Sequence, residues 1–460
     1  MAHARIRRYD GIAKWVPTPR NTSRSALHPA PAQVMTPRTF DAFAIAAPGL
    51  APLLADELRA LDVVIGEVSA AGVVFPATIA SLLHVNLWSR LATRVIVRVA
   101  EFTARDFATL EKQSKRVPWS TLIAPGAAVR FRVTCRKSRL YHSDAVAERV
   151  ARAVAGAVPS ASVLAREIGD EVQDDAVDVD LSARVSSDAE SSQLIVVRFE
   201  HDRCTISLDS SGDLLHRRGW RQAVAKAPLR ETLAAAMLAA CDWHGDVPLI
   251  DPFCGSGTIG IEGALRARNM APGLTRRFAL EGWPGVSASW VAAQRDAARM
   301  LARPTAGVPI RMSDRDAGAC AAARANAERA GVAADVEITQ CAISAVDLSA
   351  LGPRGLVLTN PPYGLRVSEG ADLRALYARL GDIVRTGGPD WRLGLLVPDR
   401  HLAAQTRLQF ESLLRTSNGG IGVSVERSKG KPARRQGAAR AGGCGVRRGR
   451  VGSREPPAPL

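Results

Sequence analysis

Residues 249–264, LIDPFCGSGTIGIEGA, run from a short apolar segment through a glycine-rich turn into the start of a helix. That order restricts the fold sharply. Leu249 and Ile250 are expected to end a buried parallel strand, with Asp251 at its carboxyl end and a helix from near Thr258. Gly255 and Gly257 allow the backbone to turn tightly and to approach a ligand closely. The flanking sequence repeats the pattern. Apolar runs at 309–312, 336–339, 355–358 and 392–397 alternate with helical periodicity at 258–268, 317–330 and 372–386, as a doubly wound parallel α/β sheet requires. Ligands bind such sheets at the carboxyl edge of the strands, where Asp251, Asp314 and Asn360 are all expected to fall. Asp314 follows Asp251 by 63 residues, whereas a plain dinucleotide fold places its acid about 20 residues after the turn. The surplus is assigned to an insertion at 270–305, which holds Trp283, Trp290 and an Ala/Arg-rich helix.

The turn matches neither G-x-G-x-x-G nor the lysine-bearing phosphate loop. A cradle for a cofactor without phosphate, such as S-adenosylmethionine, remains. Its expected contacts are Asp251, Phe253, Gly255, Ser256, Gly257, Thr258, Asp314 and Asn360. Asp251 would lie near the amino-acid end and the turn amides near the carboxylate, with Asp314 on the ribose diol, since a carboxylate accepts two hydrogen bonds from vicinal hydroxyls. A second tetrad, Asn360-Pro361-Pro362-Tyr363, follows the apolar run at 355–358, and its prolines end the strand and fix the loop. An exocyclic amine on a base ring is a poor nucleophile because its lone pair is delocalised. If the Asn360 side-chain oxygen and the Pro361 carbonyl accept its N–H groups, the lone pair turns toward a methyl donor, and Tyr363 can stack on the base. Such orientation is worth about 7–11 kcal/mol at best.

The net charge of +16 suggests a nucleic-acid partner, but its distribution matters. Residues 1–39 carry +6 and residues 427–460 carry +9, which leaves +1 between them. A grip on RNA by the folded body must therefore come from local patches, to which basic ends add only a sequence-blind, salt-sensitive attraction. Two patches qualify. The turn after the expected strand 128–134 holds Arg136, Lys137, Arg139, Tyr141 and His142, suited to gripping phosphates and stacking on a base; the alternative is a solvated loop with Tyr141 in the core. The second, Arg217, Arg218 and Arg221 around Trp220, lies where the front and back halves join, and there the tryptophan either faces RNA or packs the halves together. The seven cysteines form no C-x-x-C pair and their number is odd, so neither a disulfide framework nor a metal site is expected, and a reducing cytoplasm fits. No run of apolar residues is long enough to span a bilayer.

Residues 1–38 lack apolar periodicity and are expected to be disordered, with Met35 a candidate start of translation; the Gly/Arg-rich stretch from residue 427 is expected to hold no element. Residues 39–105 form a strand–helix–strand–helix–strand unit with nothing catalytic in it, residues 106–212 a second α+β unit, and residues 213–426 the parallel sheet.

DLLHRRGWR, KAPLRETLAAAML, DPFCGSGTIGIEGA, TNPPYGLRV and TSNGG, together with the RKSRLYH turn, resemble the THUMP-domain family of class I S-adenosylmethionine-dependent RNA methyltransferases over roughly residues 40–425. The resemblance implies a ferredoxin-like piece plus THUMP for RNA capture ahead of a Rossmann-like catalytic domain, and a long insertion like that inferred above. It implies formation of N2-methylguanosine, in 23S ribosomal RNA first and transfer RNA second. Adenine-N6 methylation of DNA and glutamine methylation use a similar tetrad without the front half. A non-catalytic RNA-binding protein is the remaining alternative, opposed by the intact site residues. Two departures stand out: Gln340-Cys341-Ala342 replaces the acid that often meets the adenine amino group, leaving Asp347 as the nearest one, and the arginine-rich C-terminus has no counterpart in the family pattern.

Overall fold

The computed structural model describes residues 39–164, 192–222, 229–363 and 373–430, so the expectations for residues 1–38 and for the chain beyond 430 lie outside the described residues. The front half contains β1 (Phe40–Ala46), α1 (Ala51–Ala60), β2 (Val68–Ser69), β3 (Gly72–Ala77), α2 (Ile79–Trp88), β4 (Ala92–Thr103), α3 (Phe107–Ser114), β5 (Ala128–Arg136), α4 (Ser143–Ala157), β6 (Ser162–Val163), β7 (Gln193–Glu200) and β8 (Arg203–Asp209). Its strands form one eight-stranded sheet in the order β2-β3-β1-β4-β8-β7-β5-β6. The long β4 carries β1 on one side and β8 on the other, so the sheet runs unbroken past residue 105, where two units were expected to meet. Helix α4 buries Val146, Val150 and Val154, the one face that its four-residue spacing predicts.

The back half contains α5 (Glu231–Ala240), β9 (Leu249–Asp251), α6 (Thr258–Ala267), α7 (Ala288–Met300), β10 (Ile310–Asp314), α8 (Ala317–Arg329), β11 (Glu337–Gln340), β12 (Arg354–Thr359), α9 (Arg374–Gly387), β13 (Asp390–Val397), α10 (Arg400–Ala404), β14 (Phe410–Asn418) and β15 (Ile421–Ser428). The sheet order is β11-β10-β9-β12-β13-β15-β14, with β9 to β13 parallel and the last two strands an antiparallel hairpin. This doubly wound order puts β9 at the centre of the five parallel strands, where the carboxyl ends of β10 and β12 flank it.

The hairpin corrects the expectation that no element lies beyond residue 426, because β15 continues through Arg427 to Ser428. Its connection is the two residues Gly419 and Gly420, both with positive φ (58° and 81°), as a tight hairpin whose turn follows the strand twist demands.

The insertion ties the halves together. Trp283 is buried, lies edge-on to Phe40 with centroids 6.1 Å apart, and donates from Nε1 to Gln193 Oε1 of the front sheet at 2.8 Å. Arg276 donates to the carbonyls of Asp213, Leu214 and Arg217, capping the segment that links the halves. Under them lies buried Glu262 of α6, flanked by Arg218 Nε at 3.3 Å and Arg90 Nη1 at 3.8 Å. Burial pushes the Arg90 guanidinium down to about 10, against the pull of Glu262.

Candidate active site

Strand β9 ends at Asp251, which is fully enclosed. Its Oδ1 accepts from the Thr359 hydroxyl at 2.6 Å and from the Phe253 amide at 3.2 Å, while Oδ2 has no partner among the described residues. Burial pushes this carboxyl up to about 7; the Thr359 and Phe253 bonds pull it back, and the neighbouring Asp314 adds to the rise. Such a group ionises fully when a cation reaches its free oxygen.

The turn that follows is shaped by its glycines. Gly255 (φ 52°) has open space above its Cα, so a ligand can lie directly against the backbone there. Gly257 (φ 88°) caps α6 in the left-handed region, and a Cβ on it would meet Ala323 of α8 at 3.0 Å. No side chain caps the α6 N-terminus, so its first amides remain for an anion. The turn is pinned from three sides: Cys254 donates its amide to Ser313 O at 3.0 Å, Gly255 to Asp314 Oδ2 at 3.1 Å, and buried Asn326 of α8 donates from Nδ2 to Ser256 O at 3.0 Å. Asp314 also accepts from the Asp316 amide at 3.0 Å, so each of its oxygens holds one protein donor and keeps a second lone pair. Phe253 is half-buried, packed against the apolar cluster around Tyr377 and Trp391. Ser256 and Thr258 are buried, and the Thr258 hydroxyl accepts from Arg221 at 3.2 Å.

Strand β12 pairs in parallel with β9, Val357 opposite Ile250, so the Asn360–Tyr363 tetrad begins at the edge where the glycine turn begins. Asn360 Oδ1 is buried and has no hydrogen-bond partner among the described residues. An unpaired buried amide oxygen is costly, and here it identifies an acceptor awaiting a donor. Pro361 is buried, and Pro362 O accepts from the Tyr377 hydroxyl at 3.3 Å. Half-buried Tyr363 has its hydroxyl held by Asn418 Nδ2 at 3.1 Å. Asn418 lies at the hairpin tip, which faces the carboxyl edge because β14 runs parallel to β12. The hydrogen bonds of Asn326, Thr359 and Asn418 went unread in the sequence; only Asn418 carried a local signal, the Asn-Gly-Gly turn.

Asp347 is exposed, and its carboxylate is used by the Ser349 amide (2.9 Å) and hydroxyl (2.8 Å), while Gln340 donates to Arg315 O at 3.3 Å. A cleft of about 650 Å³ lined by Asp242, Arg354, Asp390 and Arg392 opens at the opposite, amino edge of the sheet, away from all these groups. Among the described residues no group of three His, Cys, Asp or Glu could hold a metal ion, and no helix is long and apolar enough to cross a membrane.

The two basic patches separate. Arg136, Lys137, Arg139 and His142 are exposed, and so is Tyr141, at 66%, which removes the alternative that it belongs to the core; its ring lies 4.0 Å from that of His142. The junction patch needs correction. Arg218 is 2% exposed and donates to Leu215 O and Arg90 O, both at 2.6 Å, besides pairing with Glu262. Arg221 pairs with buried Glu231 at 3.1 Å and also bonds Leu229 O. Neither guanidinium is available to RNA. Trp220 is buried as well, so it packs the halves together, and Arg217 is the most exposed of the three arginines, 3.9 Å from Asp213.

The cradle and tetrad therefore share one edge, and its groups fit S-adenosylmethionine: a carboxylate oxygen of Asp251 without a protein partner among the described residues for an ammonium, an uncapped helix start for a carboxylate, and a bare glycine for close approach. Comparisons with known proteins agree. Residues 218–417 match the family model described as RMKL-like, methyltransferase domain, and residues 41–96 match that of the RlmL ferredoxin-like domain. The chain is 36% identical over 392 residues to the ribosomal RNA large subunit methyltransferase K/L of Syntrophotalea carbinolica, covering 82% of this chain but 52% of that protein. It is 30% identical over 381 residues to slr0064 of Synechocystis sp., named as an RNA methyltransferase, covering 82% of this chain and 94% of that one. Thus the chain spans about half the length of the K/L relatives and nearly all of slr0064. Among solved structures, SMU.472 in complex with S-adenosylhomocysteine superposes with a TM-score of 0.72 at 27% identity, covering 86% of this chain and 100% of that one. On this sequence, fold and site, the chain belongs to the RlmKL-like family of S-adenosylmethionine-dependent methyltransferases.

Proposed function

We propose that the protein transfers a methyl group to the exocyclic N2 amine of a guanine in RNA, and that the RNA is that of the large ribosomal subunit. The observation that carries this reading is the buried, unpaired Oδ1 of Asn360 at the strand end beside the glycine turn. It accepts an N–H of the target amine and turns the nitrogen lone pair toward the donor. When bound, S-adenosylmethionine supplies an electrophilic methyl group on a sulfonium centre. Asp251 Oδ2 receives the donor's ammonium, the first amides of α6 its carboxylate, and the remaining lone pairs of Asp314 its ribose hydroxyls. Tyr363, held through its hydroxyl by Asn418, stacks on the base. No strong base is needed: as the N–C bond forms the methyl–sulfur bond breaks, and the amine's proton passes to water during or after the transfer. The target guanine must be unpaired or flipped out. The exposed turn at Arg136, Lys137, Arg139, Tyr141 and His142 is the RNA-capturing element, in a THUMP-type region, and Arg217 is the one junction arginine able to join it.

The choice of ribosomal RNA is supported by the K/L relatives, which are named for that substrate. Nucleoside mass analysis of RNA from a strain lacking this protein tests it. Loss of N2-methylguanosine from the large ribosomal RNA is the expected result; loss from transfer RNA alone overturns the choice of substrate, and an unchanged RNA profile overturns the function. Asn360→Ala is expected to lower turnover at least a hundredfold, about 2.7 kcal/mol or more, with cofactor binding retained. Turnover near the wild-type rate would remove Asn360 from the chemistry.

A further inference from the structure

Thr359 stands one residue before Asn360, completely buried, and donates its hydroxyl to the Asp251 oxygen that faces away from the free one. The bond spans 108 residues of sequence and joins the end of the strand that begins the donor cradle to the end of the strand that begins the amine-holding tetrad. Strand pairing stops short of this point: the register of β12 with β9 covers only Leu356 and Val357. Beyond it, the Thr359 hydroxyl links these two strand ends through a side chain. That hydroxyl therefore ties the carboxylate of the cradle directly to the strand end that carries the tetrad.

We infer that Thr359 is a positioning residue that couples the two halves of the site, holding the Asp251 carboxylate ready for the cofactor's ammonium and keeping Asn360 in register with the bound donor. This rests on the cofactor reading above and extends it to a residue outside both motifs. A hydrogen bond given to a carboxylate favours its ionised form, and it opposes the burial that raises the Asp251 carboxyl. The other titratable groups acting here are Asp314, from the end of β10, which disfavours ionisation, and the buried Cys254 thiol on the turn, itself pushed up by burial and by both carboxylates. Among the described residues no basic side chain offsets them, so loss of the Thr359 donor moves ionisation of Asp251 to higher pH.

The test is titration of the purified full-length chain with S-adenosylhomocysteine by calorimetry between pH 5.5 and 9, using wild type, Thr359→Val and Thr359→Ser. Valine keeps the shape and removes the donor; serine keeps the donor and removes the methyl group. Wild-type affinity is expected to fall as pH drops through about 7. In Thr359→Val the midpoint should rise by about one pH unit, weakening binding roughly fivefold at pH 7 and close to tenfold toward pH 5.5. Turnover at saturating cofactor should fall about tenfold with the KM for RNA unchanged, reflecting lost orientation. Thr359→Ser should stay within about twofold of wild type in both measurements. A valine variant with the wild-type pH midpoint and turnover overturns the inference, as does a serine variant that behaves like valine, because packing would then be the cause. If wild type takes up no S-adenosylhomocysteine at any pH, the cofactor reading fails and this inference with it.

Discussion

The turn at residues 136–142 and the junction at residues 217–221 are nearly interchangeable as sequences, each with three basic residues beside an aromatic ring, yet they have opposite fates. The turn sits beyond the end of β5, in the open, with Tyr141 and His142 stacked in solvent. The junction is enclosed between the two sheets, where Arg218 and Arg221 pair with Glu262 and Glu231 and Arg218 also donates to carbonyls. The difference teaches that an arginine's role follows its solvation. In water a guanidinium is free to exchange its shell for phosphate oxygens. Once desolvated, it must be paired where it stands, and it becomes part of the structure.

The largest expected effect lies in the junction. Arg218→Ala leaves Glu262 buried with only the longer Arg90 contact, and should cost about 3–5 kcal/mol of stability. Urea unfolding followed by circular dichroism measures this. A loss below about 0.5 kcal/mol would place Arg218 with ordinary surface arginines and break the contrast. Replacing Arg136, Lys137 and Arg139 together by alanine should do the reverse: RNA binding weakens by about tenfold to a hundredfold with a shallower salt dependence, while stability stays within about 0.5 kcal/mol. Binding titrations at several salt concentrations check it, and unchanged affinity would sink the assignment of the turn.

The smallest effect is a pH response confined to the junction. Burial pushes the Glu231 carboxyl up to about 7, against the pull of Arg221, and burial together with Arg230, Arg217, Arg218 and Arg221 holds His216 well below its usual value. Between about pH 4.5 and 7 the folded Glu231 binds more protons than the unfolded one, so its contribution rises as pH falls through that window. His216 works the other way: the unfolded ring takes up a proton below about pH 6.5 that the folded ring refuses, so stability falls there. The two slopes oppose each other. Glu231→Gln should remove the first and expose the second, seen as a melting temperature that drops more steeply than wild type between pH 6.5 and 5. Identical slopes would mean that the junction is solvated like the turn.

Much of the fold is legible from local chemistry. The bounds of α2 follow from Thr78, whose side chain and that of Ser81 form a reciprocal cap, and from the apolar run behind it. The catalytic-edge strands are recognisable because both faces of a parallel strand are covered and its residues are apolar without alternation. Helix α3 was missed although Asp106 caps it, because FATLEKQS is too short and polar to show a face. The β14–β15 hairpin was missed for a different reason. Its arginines and glycines resemble those of the tail, and only Asn418-Gly419-Gly420 marks the turn. Of the site, the motifs announced the residues gathered at the strand edge, but not those that hold them: Asn326 is one polar residue in an alanine-rich helix, and Thr359 reads as the last residue of a strand.

By itself the sequence determined the parallel sheet, the glycine turn after the strand before DPFCGSGT, and the edge on which Asp251, Asp314 and Asn360 emerge, because strand period, glycine φ and proline stops act within a few residues. Only the tertiary structure decided that the front strands share one sheet through β4, that Arg218 and Arg221 are structural, and that Thr359 meets Asp251. Those outcomes depend on desolvation and on contacts between residues far apart in the chain, and neither is encoded in any local pattern.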